Sequence, residues 1–183
     1  MSVATGSGKS SRTRRDIVEA AVTSWAADNS RSLGDVADAA GVGRTTLNRH
    51  FTNRAELVAA VDVECRDRFA QALACSRPDE GSGLAGLQRA CTEIVQLGPV
   101  LGLIFADNAL VDPDTWGDPD TLGLLIIRGQ ADGSIASDLP ADWVAIHTWT
   151  TLFAAQLMLQ TDSATNHEVS QLLIRTLAKG IAS

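Results

Sequence analysis

The stretch Ser32 to Phe51, SLGDVADAAGVGRTTLNRHF, constrains this chain more than any other. It divides into two short helical runs around a glycine turn. In the first run Leu33, Val36, Ala37 and Ala40 fall at i, i+3, i+4 and i+7, one face of a helix. In Gly41-Val42-Gly43, two residues free to take positive φ flank one apolar residue that plugs the corner. The second run, Arg44 to His50, carries two arginines, two threonines, an asparagine and a histidine, with Leu47 as its one clear core anchor. Such a helix is mostly surface, and its surface groups are donors or can act as donors.

That pattern suits a helix-turn-helix, whose second helix enters the DNA major groove and presents its first turns to base edges. Leu47, with Phe51 one turn on, holds the second helix against the first and leaves Arg44, Thr45, Asn48 and Arg49 pointing outward. Arginine binds guanine in a bidentate manner, asparagine does the same to adenine, and threonine offers a hydroxyl and a methyl. Spacing alone also admits an ordinary helical hairpin with a solvated second helix.

The region Ser32–Leu57 resembles the DNA-binding signature of the TetR (tetracycline-repressor-like) family of bacterial transcription regulators. The matching residues are Val36-Ala37, Ala40-Gly41-Val42, Thr46-Leu47, His50-Phe51, Arg54, Glu56 and Leu57. Asn48 stands where members usually carry a tyrosine that contacts phosphate, and it either takes over that contact or reads a base. Gly43 stands where a serine is frequent; glycine is itself an acceptable N-cap. The candidate DNA-binding set, with two arginines from the N-terminal arm, is Arg12, Arg14, Ser32, Gly43, Arg44, Thr45, Thr46, Asn48, Arg49, His50 and Arg54.

Net charge is −7, unexpected for a DNA binder until it is split. Residues 1–54 carry eight Lys/Arg against five Asp/Glu, and residues 55–183 seven against seventeen, so +3 faces −10. A basic head on an acidic body fits a protein that touches phosphates with one end. Hydrophobic residues make up 45% and mean hydropathy is +0.04, values of a globular chain. Cys65, Cys75 and Cys91 form an odd set without CxxC spacing, which argues against a disulfide framework or zinc site and for a reducing cytoplasm. No signal peptide or membrane span is legible.

Residues 1–11 are Gly/Ser-rich and are expected to be a disordered basic arm. Gly6-Ser7-Gly8-Lys9-Ser10 imitates the end of a phosphate-binding loop. A P-loop needs a glycine where Val3 stands and a preceding strand for which there is no room, so nucleotide binding is rejected. Lys9 belongs either to the DNA-contacting arm or to an untouched tail; Arg12 and Arg14 adjoin the first helix. The expected domains are the arm, a DNA-binding head at 12–54 and a helical effector-binding and dimerisation body at 55–183.

The fold class read from the pattern is all-α: a three-helix head and a helical body. The first helix runs from Thr13 to Asp28, with Ile17, Ala21 and Trp25 inward. The fourth opens after Thr52-Asn53, with Glu56 in its first turn, and ends before Pro78. By resemblance it links head to body. The body reads as helices Leu84–Leu97, Val100–Leu110, Thr121–Gln130, Pro140–Gln160 and Asn166–Ile181, with an acidic loop from Asp112 to Pro119. The segment Gly129-Gln130-Ala131-Asp132-Gly133-Ser134-Ile135, followed by Leu139-Pro140, is also similar to the body of many TetR-like proteins.

No catalytic constellation stands out, and a lone His147 on a largely apolar helix gives no base or ligand set. The chain is read as no enzyme, with no cofactor and no metal. The resemblance implies an apolar effector cavity, for which Phe105, Trp116, Trp143, His147, Thr150 and Met158 are candidate walls, with plain core as the other reading. It also implies that the last two helices pair with their two-fold copies. Candidates there are Val144, Thr148, Leu152, Ala155, Leu159, Val169, Leu172, Leu173 and Thr176, again with internal core as the alternative. The expected function is a homodimeric regulator, read as a repressor, that binds a palindromic operator in double-stranded DNA and leaves it when a small apolar or amphipathic effector binds. The alternative is a ligand-independent architectural or interaction protein on the same scaffold; an effector that shifts DNA affinity separates the two.

Overall fold

The computed structural model describes residues 5–106, 110–112, 120–161 and 163–183. Among these, the regular elements are helices: α1 (Thr5–Ala27), α2 (Leu33–Ala39), α3 (Arg44–His50), α4 (Arg54–Cys75), α5 (Gly83–Val95), α6 (Pro99–Phe105), α7 (Thr121–Ala131), α8 (Ala141–Gln160) and α9 (Asn166–Ile181). The chain divides into two compact units, Met1–Asp67 with Gly102–Trp116, and Arg68–Leu101 with Gly117–Ser183. The boundary thus falls inside α4, three turns beyond the expected edge at residue 54. The reason lies in the first half of α4, whose Leu57, Val61 and Cys65 are fully buried in the first unit.

In that first unit Ile17, Ala21, Val22 and Trp25 of α1 share a core with Val36, Ala37, Leu47 and Phe51. The helix α1 starts at Thr5, ahead of the expected Thr13. Residues 5–11, expected in the arm, are placed in this helix, and residues 1–4 lie outside the described part. Once the packed turns around Ile17 exist, each residue added backward needs only one more hydrogen bond. The turn between α2 and α3 uses its two glycines differently. Gly41 takes φ +66, where a side chain would be strained, whereas Gly43 sits at φ −70 as the N-cap of α3.

The second unit is built around α5, which packs on α7, α8 and α9. Its buried face is Leu87, Ala90, Cys91, Ile94 and Val95. Burial pushes the Cys91 thiol up to about 12, so it stays protonated and acts as a small apolar side chain. The α5–α7 crossing is close because it is made of glycine: a Cβ on Gly83 would overlap the backbone of Gly129. The segment 129–136 locks this crossing. Asp132 Oδ2 accepts the Gly83 N–H at 2.7 Å and Ser134 Oγ accepts the Leu84 N–H at 3.1 Å, which satisfies the open start of α5. Gln130 Nε2 donates to the carbonyls of Ala136 and Leu139, and the Ala136 N–H reaches Ile181 O at the end of α9. The family-like segment is thus a clamp on three helices.

The expected helix Val100–Leu110 is shorter, ending at Phe105. The acidic loop lies, beyond Asp112, outside the described residues.

Candidate nucleic-acid interface

Ser32 opens α2 with a reciprocal cap: its Oγ accepts the Asp35 N–H at 3.2 Å, and Asp35 Oδ2 accepts the Ser32 N–H at 2.7 Å. The Ser32 hydroxyl and backbone bonds hold the Asp35 carboxyl below the usual carboxylate range, with the charges of Arg31 and Arg44 acting in the same direction. Leu47 and Phe51 are buried, which fixes the rotation of α3 about its axis. In consequence Arg44, Thr45, Asn48 and Arg49 are exposed, while Thr46 and His50 are half-buried. Among the described residues Arg44 and Arg49 make no hydrogen bond or ion pair, so their guanidinium donors remain available to an incoming ligand.

Between α2 and α3 lies a cavity of about 280 Å³ lined by Ser32, Leu33, Gly34, Arg44, Leu47 and Asn48. Gly34 is buried beneath the Arg44 side chain. The sequence pattern passed over this residue, although a glycine inside a helix costs about 0.5–1 kcal/mol relative to alanine and so signals a packing reason.

A second cluster holds the head together. The Arg54 guanidinium lies 4.4 Å above the Trp25 ring and donates to the carbonyls of Arg31 at 2.6 Å and Asn29 at 2.7 Å. Trp25 Nε1 donates to the same Arg31 carbonyl. Arg54, one of the expected DNA contacts, ties α4 to the α1–α2 loop, because stacking on Trp25 directs its donors to the loop carbonyls. Arg14 stacks over Phe51 at 4.8 Å, while Arg12 is exposed. The start of α4 is capped twice: Asn53 Oδ1 accepts the Glu56 N–H, and Glu56 Oε2 accepts from the Thr52 backbone and hydroxyl.

The family model described as "Bacterial regulatory proteins, tetR family" matches residues 17–61, the span from mid-α1 into α4 that builds this head. Over 182 residues, 96% of this chain and 93% of the relative, the sequence is 28% identical to the HTH-type transcriptional repressor LfrR of Mycolicibacterium smegmatis. Residues 17–61 thus match the tetR family, and the chain as a whole is similar to LfrR.

The chain also resembles solved structures along most of its length. The structure of LfrR from Mycobacterium smegmatis in complex with proflavine matches with a TM-score of 0.71 at 25% identity, covering 94% of this chain and 98% of that one. The fatty acid degradation regulator FadR of Bacillus halodurans has the same fold, with a TM-score of 0.72 at 17% identity over 92% and 95% of the two chains. The head is of the kind described for bacterial regulatory proteins of the tetR family.

The body residues fall differently from expectation. In α8 the face carrying Val144, Thr148, Leu152 and Ala155 is buried within the second unit. Val169 and Leu173 of α9 are buried too. These six are buried within the second unit, where internal core was the alternative reading. Leu159 is half-buried, and Leu172 and Thr176 are exposed. The opposite face of α8 is apolar and open: Trp143 is 60% exposed and Ile146 61%, with Phe153 and Leu157 further along the same side. Trp143 and Thr150 therefore face outward rather than lining a protomer's interior. His147 packs on α9, where a Cβ on Gly180 would come within 2.9 Å of its Nε2. Met158 is half-buried in the same unit. Phe105 is half-buried in the other, and Trp116 lies outside the described residues. No group of three or more His, Cys, Asp or Glu side chains able to hold a metal occurs among the described residues, and no described helix is long and apolar enough to cross a membrane.

Proposed function

We propose that the chain is a homodimeric repressor that reads a palindromic operator with Arg44, Thr45, Asn48 and Arg49 of α3 and releases it when a small apolar or amphipathic effector enters the body. The observation that carries the reading is the set of exposed polar side chains on α3, anchored from behind by Leu47 and Phe51. Arg12 adds a sequence-independent phosphate contact, and Arg49 brings positive charge to the last turn of α3. Residues 12–54 serve DNA binding and residues 55–183 effector binding and pairing. Dimerisation places two copies of α3 in successive major grooves. The open apolar face of α8, from Trp143 to Leu157, with Leu172 and Thr176 of α9, supplies the pairing surface. Repression and effector control are supported by LfrR, which is named a repressor and is solved with proflavine bound. The free cysteines Cys65, Cys75 and Cys91 suit a cytoplasmic site of action.

The test is a fluorescence-anisotropy titration of DNA from upstream of the protein's own coding region, at two salt concentrations, against scrambled DNA of equal length. Tight binding that discriminates and weakens on addition of proflavine or another planar amphiphile supports the reading. Discriminating binding that no such compound alters favours a ligand-independent DNA-binding protein, and salt-sensitive binding blind to sequence removes the specific reader.

A further inference from the structure

Gly34 occupies the second position of α2, a seven-residue helix that its Ser32–Asp35 cap already starts well. Nothing in the backbone there demands glycine, because Gly34 is helical and its φ is not positive. A side chain there would instead meet a neighbour. A Cβ built on Gly34 would stand 2.7 Å from Arg44 Nη2 and 3.1 Å from both Cζ and Nε. The guanidinium of Arg44 therefore lies flat across the bare backbone of α2, in space that any other side chain would fill. Gly34 is buried, whereas Arg44 itself is exposed.

Two further observations bear on what this arrangement does. First, Arg44 is held by shape and by the charge of the nearby Asp35, without any hydrogen bond or ion pair among the described residues. The Asp35 carboxylate is already taken by the Ser32 backbone and hydroxyl. The guanidinium is thus placed while its donors stay open, the condition a bidentate contact to guanine requires. Second, Arg44 lines one cavity together with Ser32 and Asn48, so it lies among the other groups assigned to the DNA rather than turned away from them.

We infer that Gly34 is a specificity-determining positioning residue: by lacking a side chain it seats the Arg44 guanidinium between α2 and α3, ready to read a base. The inference rests on the proposal that Arg44 reads a base. Seating matters because a free arginine side chain must be ordered at binding, and a seat in the free protein removes part of that loss. In this respect α2 does more than brace α3; it sets where the first side chain of α3 can go.

The experiment selects binding duplexes from a random-sequence library with the wild type, Gly34→Ala, Arg44→Ala and the double variant, and compares base preferences position by position. Gly34→Ala meets only the flexible end of an arginine, and alanine favours the helix, so the variant folds and melts at or above the wild-type temperature. Arg44→Ala is expected to erase the preference at one base pair of each half-site. Gly34→Ala should reduce the preference at that same base pair roughly tenfold, and the double variant should match Arg44→Ala. Gly34→Ser, which places a Cβ against the same atoms, should repeat the loss. A Gly34→Ala profile equal to wild type, while Arg44→Ala loses its base pair, overturns the inference and leaves Arg44 as a reader. A change caused by Gly34→Ala in the Arg44→Ala background overturns it as well, since the effect would not pass through Arg44. If Arg44→Ala keeps the wild-type profile, the base-reading role itself fails, and the seat with it.

Discussion

Arg54 and Arg49 stand five residues apart and have opposite environments. Arg54 stacks on Trp25 and binds two loop carbonyls, whereas Arg49 is exposed without a partner among the described residues. Arg54→Ala removes a cation–π contact and two charge-assisted hydrogen bonds, and should lower the head's stability by about 2 kcal/mol, read in chemical denaturation. Arg49→Ala should leave stability within about 0.5 kcal/mol yet cost about 1–3 kcal/mol of discrimination at one base pair of each half-site. If Arg54→Ala left the unfolding midpoint unmoved while reducing DNA affinity, Arg54 would belong to the interface after all. The carboxylates add a pH dependence at the same scale. Asp28, Asp35, Glu56, Asp132 and Glu168 all lie below their ordinary values of 3.8 for Asp and 4.5 for Glu, each because it accepts hydrogen bonds from nearby backbone and hydroxyl groups. A carboxylate with a lowered folded pKa contributes stability that is complete above its unfolded value and lost as pH falls through the folded one. The melting temperature should therefore be flat with respect to these groups near neutrality and fall progressively once pH drops below about 4. A melting curve unchanged between pH 6 and pH 3 would show that these caps contribute nothing.

At the scale of elements, the α5–α7 crossing is the most sensitive contact described. Gly83 abuts the backbone of Gly129, whereas a Cβ on Gly86 would first meet the Leu125 side chain. Backbone cannot move aside without separating the helices, and a leucine can turn. Gly83→Ala should accordingly destabilise the second unit by about 3 kcal/mol or more, beyond the usual range for overpacking, as measured by equilibrium unfolding. Gly86→Ala should cost less. Equal effects would mean that α5 shifts as a body to accommodate either methyl. The segment 129–136 serves the same crossing: Asp132 and Ser134 accept the first N–H groups of α5 from a different part of the chain.

At the scale of the whole molecule, the two sides of α8 have different surroundings. Leu152 is fully buried and Ile146 is 61% exposed. Leu152→Ala should cost about 2–5 kcal/mol of folding stability through the cavity it leaves. Ile146→Glu should leave the protomer folded, shift sedimentation from dimer to monomer, and reduce operator affinity because a single head reads half a site. A folded Ile146→Glu protein that remains dimeric would move the pairing surface elsewhere.

Much of this was legible in the chain itself. The helix-turn-helix follows from local rules: periodicity placed Leu47 and Phe51 inward, which forced Arg44, Thr45, Asn48 and Arg49 outward, and the glycine turn fixed the corner. The all-α class and the order of helices came from the same short-range signals, since helical hydrogen bonds and caps join residues a few positions apart. Three matters depended on the tertiary structure. Arg54 gave no sign of its tie to the α1–α2 loop until Trp25, far away in sequence, was seen to hold it. The helix α8 is apolar on both sides, so its sequence could not say which side was core; packing on α5, α7 and α9 decided for Val144, Thr148 and Leu152. Gly34 had no meaning until Arg44 of the next helix was found lying across it. In each case the deciding partner sits on another element, and periodicity reports which residues share a face but never what that face meets.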